Sequence, residues 1–150
     1  MTQKSKPVGS SVRTMALMMI MALLLQFLLG MYTNLFISLP RTTMRASGLL
    51  MPGMGHMMSA GILDPVFMAH MVVGMLLAIG AVATVIVAVR VKHPFFVIIT
   101  IIGLIAVLIA GYGGIMFFMN GQHNSESYTM AIGWLSAFTT YFMVLSASTR

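Results

Sequence analysis

The chain contains no cysteine. That excludes disulfides, thiolate metal sites, iron–sulfur ligation by cysteine and haem attachment through a CxxCH motif. Charge is nearly as scarce, since Asp, Glu, Lys and Arg make up 7% of the 150 residues, against about 25% in an ordinary soluble domain. Only two residues are acidic, Asp64 and Glu126. So few charges cannot clothe a folded surface in water-facing groups, so lipid must be the solvent over most of it. No phosphate-binding loop, dinucleotide-binding glycine motif or metalloprotease motif is present.

What the chain has instead is apolar length: 59% hydrophobic residues and a mean hydropathy of +1.01. Four apolar runs, at about 13–36, 64–90, 94–119 and 127–147, are each long enough to cross a hydrocarbon core of about 30 Å as helices. The β-branched content of the third run does not argue for a strand, because an isolated strand in lipid leaves its backbone unpaired. The expected fold is all-α, a polytopic membrane four-helix bundle. Residues 13–150 form one four-span domain behind a basic tail at 1–12. The first run continues to Phe36 without a small-residue cleavage pattern, so it reads as a retained helix and not a secretory signal.

The second run, DPVFMAHMVVGMLLAIGAVATVIVAVR, organises the rest. Asp64 can cap it, and Pro65 at the first helical position needs no hydrogen-bond donor. From Pro65 to Val89 its only ionisable residue is His70, and an intramembrane histidine marks a functional site by default. In the first run Gln26, Gly30, Thr33 and Asn34 share one broad face, where a buried Gln amide can bond across to another helix or line a small cavity. Gly103, Ala106, Ala110, Gly113 and Gly114 form a small-residue stripe in the third run that permits close helix contact. In the fourth, Asn124 or Ser125 is the expected cap, with Glu126 in the first turn. Ser136, Thr139 and Thr140 are available there for interhelical bonds.

The net charge of +6 rests on eight cationic residues, too dispersed for a nucleic-acid surface. Lys4, Lys6, Arg13, Arg90, Lys92 and Arg150 fall on one side of the four spans, and only Arg41 and Arg45 on the other. The positive-inside rule then places both termini in the cytoplasm of a multi-pass cell-membrane protein. His56, Asp64, His70, His123 and Glu126 come to the outer side or outer third.

His70, Gly74, Ala78 and Ala81 follow one another at helical spacing, so small residues form a groove beneath the histidine ring. In the segment AHMVVGMLLAIGAVATVIVAVR the chain resembles one four-helix half of the haem A synthase family, in which a helix histidine is followed by glycine four residues later. The resemblance covers mainly the second span and implies haem b on His70 beside Gly74; Gln26, from its own helix face, is a candidate to line the same cofactor cavity. The family pattern wants a second histidine in the fourth span, which has none. His123 just before that span, or Met119 or Met130 as a soft ligand, would have to serve. The alternative is a packed His70 bonded to Gln26, Asn34, Tyr128 or a backbone carbonyl.

A second candidate is the MPGMGHMM stretch between the first two spans, where Met54, His56 and Met57 offer thioether and imidazole ligands suited to copper. The chain has 18 methionines in all, and packing of this loop onto the bundle explains a local cluster equally. A faint internal echo pairs LLGMYTNLF with LIAGYGGIM, aligning Tyr32 with Tyr112.

Enzyme chemistry finds little to work with. Both carboxylates lie at helix starts, where capping accounts for them. Six helical residues separate Asp64 from His70, roughly 9 Å along the axis, too far for a direct hydrogen bond. Below Gln26 and His70 the inner half of the spans reads as mostly aliphatic, which argues against a continuous channel. The expected function is that of a small integral membrane protein acting as an interaction or accessory subunit of a membrane complex, such as a respiratory assembly. Its expected partners are lipid and other membrane subunits or further copies of itself. Haem handling through His70 and copper binding by the Met/His loop are the alternatives.

Overall fold

A computed structural model of the protein describes residues 10–37, 64–120 and 122–148. They form four helices: α1 (Ser10–Phe36), α2 (Pro65–Val91), α3 (Pro94–Asn120) and α4 (Asn124–Ala147). All four are long and apolar enough to cross a membrane, and the first three, at 27 residues each, reach roughly 40 Å. The protein is an integral, multi-pass membrane protein built as a four-helix bundle.

Local chemistry sets the helix ends. At the start of α2 the Asp64 carboxylate accepts from the backbone N–H of Val66 at 2.8 Å and of Phe67 at 3.2 Å, satisfying two of the donors that a helix start leaves free. At its other end Lys92 takes a left-handed backbone, φ 58°, and its N–H returns to the Val89 carbonyl; Pro94 then opens α3. The end of α4 nearest this turn closes differently, with Ser148 still right-handed.

The start of α4 departs from expectation. Asn124 is already helical, and the cap is His123, whose backbone is extended and whose side chain makes no capping bond. Ser125 turns its hydroxyl to Glu126 Oε2 at 2.8 Å. The preceding turn is held from a distance: Gln122, at φ 62°, donates its side-chain amide to the Ile37 carbonyl at the end of α1. That long-range contact organises the turn in place of a side-chain cap, and α4 begins three residues earlier than its hydropathy indicates.

Consecutive helices pack side by side, α1 on α2, α2 on α3, α3 on α4 and α4 back on α1, while no diagonal contact occurs among the described residues. Three apolar layers show the alternating direction. One end joins Val12 and Ala16 of α1 to Val87 and Val91 of α2, Phe96 and Ile99 of α3 and Val144 of α4. The opposite end joins Ile37, Phe67, Phe117 and Met130. Between them a central cluster includes Leu23, Leu77, Ala106 and Tyr141. Arg13, Arg90 and Lys92 are exposed at the first of these ends.

The α3–α4 pair is the tightest. A Cβ built on Gly133 would lie 2.6 Å from the Ala110 nitrogen and 2.9 Å from the Ala106 oxygen, and one on Gly113 would lie 3.0 Å from the Met130 nitrogen. The two backbones touch, which the small-residue stripe of α3 permits.

Candidate functional site

His70 and Gln26 meet at the crossing of α1 and α2. Their Nε2 atoms are 3.4 Å apart. The Gln amide nitrogen can only donate, so His70 Nε2 accepts and the ring proton belongs on Nδ1. Each side chain also lies over a glycine of the opposite helix. A Cβ on Gly30 would come within 2.9 Å of His70 Cε1, and one on Gly74 within 3.1 Å of Gln26 Nε2. Gly30 follows Gln26 by four residues, and Gly74 follows His70 by four. One helical turn therefore carries a polar side chain and then the notch that receives its partner's, on both helices. The result is a reciprocal clasp.

The clasp leaves two polar atoms over. Gln26 Oε1 and His70 Nδ1 are both buried with no hydrogen-bond partner among the described residues. Of the other partners considered for His70, Asn34 and Tyr128 are exposed. Asp64 is committed to its cap.

The groove expected beneath His70 exists, and Gln26 fills it. A haem ring and the Gln26 side chain cannot share the notch at Gly74, and axial ligation through Nε2 would compete with the Gln26 hydrogen bond. As packed, the residues here do not fit the group. The further proposed ligands lie apart from one another in chemistry. His123 is exposed at the α4 cap, Met119 is largely exposed, and Met130 packs against Gly113 and Gly114. Met54, His56 and Met57 fall outside the described residues. Among the described residues no group of three or more His, Asp or Glu side chains converges to hold a metal.

Toward the basic end three buried hydroxyls interrupt the mostly aliphatic inner half. Thr84 of α2, Thr100 of α3 and Tyr141 of α4 are fully buried. The two threonines donate to carbonyls of their own helices, Thr84 to Gly80 and Thr100 to Phe96, each at 2.7 Å. The Tyr141 hydroxyl is buried without a partner among the described residues and lies against Gly103, whose Cβ would come within 3.2 Å of it. Single hydroxyls scattered through apolar runs carry no periodic signal, so their burial is not readable from spacing.

Trp134 is the other residue whose role spacing does not reveal. Its indole N–H donates to the Leu23 carbonyl of α1 at 2.8 Å, and its ring packs on Phe27 and Phe138. It closes the bundle between α4 and α1.

Three polar contacts fasten helices to one another: Gln26 and His70 tie α1 to α2, Trp134 ties α4 to α1, and Gln122 ties the α3–α4 turn to α1. The chain matches no family model, and comparison with curated proteins and with solved structures finds no similar protein.

Proposed function

We propose that the protein works by lateral association, as an accessory subunit of a membrane complex such as a respiratory assembly. The observation that carries this reading is the division of its surface. Gln26, His70, Trp134 and Gln122 make polar contacts between helices, while large apolar side chains line the outside of every helix. Such a body has an extensive face for lipid or other transmembrane helices. Cross-linking in native membranes followed by mild extraction tests the proposal: a defined partner subunit is expected, and recovery of the uncross-linked chain alone overturns it.

The basic end, with Arg13, Arg90 and Lys92, is proposed to face the cytoplasm under the positive-inside rule, which brings both termini there and the His70–Gln26 clasp to the outer half. The haem reading taken from the family resemblance requires Gln26 to leave the Gly74 notch. The copper reading rests on Met54, His56 and Met57 and is independent of the clasp.

A further inference from the structure

The outward faces of the four helices are not alike. Away from their ends, α2 and α3 present aliphatic and methionine side chains to the outside, among them Met75, Ile79, Ile105 and Ile109. The span α4 is the least apolar of the four. Its outward stripe, Tyr128, Ile132, Ser136, Thr139 and Met143, is exposed throughout and falls on one face by its spacing of three and four residues.

Ser136 and Thr139 lie twelve and fifteen residues into the helix, roughly 18 and 22 Å along it, within the hydrocarbon layer. Thr139 also differs from the other described threonines. Thr14, Thr33, Thr84, Thr100, Thr129 and Thr140 each donate to the carbonyl four residues back on their own helix. Thr139 makes no such bond. Lipid tails offer a hydroxyl nothing, and an unpaired one at this depth is costly. Two other sides of α4 pack on its neighbours, on α3 through Gly133 and on α1 through Trp134, while Leu135 and Phe142 beside the stripe offer only apolar surface.

We propose that this face of α4 is the contact between two copies of the chain, paired in parallel about a two-fold axis along the membrane normal. The proposal rests on the reading that the protein works by lateral association, and it names the surface and the occupant. A two-fold axis in that direction preserves membrane orientation and sets each residue level with its counterpart. The Ser136 and Thr139 hydroxyls both donate and accept, so they are complementary to themselves at matched depth. The stripe from Tyr128 to Met143 carries no charge, so pairing brings no repulsion.

The absence of cysteine makes the test clean. Ser136→Cys and Thr139→Cys, oxidised in native membranes, are expected to give severalfold more disulfide-linked dimer than Ile79→Cys on α2 or Ile105→Cys on α3. In a Met143→Cys background, Thr139→Val is expected to lower the dimer yield about threefold, the effect of one interhelical hydrogen bond. Equal yields from all faces, or no dimer at Ser136 and Thr139, overturn the proposal. A disulfide from Ser136→Cys to a different protein overturns the second copy as occupant and leaves the accessory-subunit reading standing. A dimer that purifies with no other protein sustains the pairing and overturns the accessory-subunit reading.

Discussion

Gln26 and His70 hold each other at 3.4 Å across the α1–α2 crossing, each resting on the glycine one turn beyond the other. The glycines are therefore part of the contact as much as the polar groups. Their removal and the removal of the polar groups should give different signatures.

Adding a methyl group should rank three glycines. At Gly133 the new Cβ meets backbone at 2.6 Å, which cannot yield without parting α3 from α4; Gly133→Ala should cost about 2–3 kcal/mol, as overpacking does. At Gly30 it meets the His70 ring at 2.9 Å, and Gly30→Ala should cost about 1 kcal/mol. At Gly74 the neighbour is the flexible end of Gln26 at 3.1 Å, and the gain in helix propensity, up to about 1 kcal/mol, should leave Gly74→Ala near neutral. Unfolding of the purified variants in mixed detergent reads the order.

Removing both polar partners should cost less than the two single losses added together. Gln26→Leu leaves His70 buried with less to bond, a loss of about 1–2 kcal/mol, whereas an apolar pair restores a consistent interior. The Gln26→Leu/His70→Leu double variant should lose less stability than the two single losses summed, with coupling of about 0.6 kcal/mol. Strict additivity would show that the two side chains are energetically independent.

How much of this was legible in the sequence follows from the kind of signal each feature leaves. Hydropathy marks spans without needing a partner, so four helices and a bundle are readable from it. Asp64 and Pro65 announce the α2 start because capping is local. The α4 start is not local: it depends on Gln122 reaching Ile37, 85 residues away, and the cap expected at Asn124 or Ser125 is instead His123. His70 and Gln26 were each conspicuous as polar residues in apolar runs, and Gln26 was among the partners expected for a packed His70; which of those partners it meets depends on how α1 and α2 cross. The groove at Gly74 was visible as small residues, and its occupant was not. The full burial of Thr84, Thr100 and Tyr141 was not visible, because each looks like an isolated hydroxyl on its own helix.

Orientation can be read with introduced thiols, since none is native. Under the proposed topology, His123→Cys should react with an impermeant maleimide from outside intact cells, and Lys92→Cys only after the membrane is opened. The reverse pattern would place the basic end outside.

The clasp also bears on haem. With Gln26 donating to Nε2 and filling the Gly74 notch, protein purified from haem-replete cells should show no Soret band. A Soret band with reducible α and β bands, abolished in His70→Ala, would mean that Gln26 gives way to a cofactor.

The most direct measurement of lateral association is the protein mass of the particle released from native membranes by a lipid-retaining polymer, without cross-linker. The account predicts a particle containing a partner chain, with a protein mass well above the 16.3 kDa of one chain. A homogeneous particle holding a single 16.3 kDa chain would contradict it.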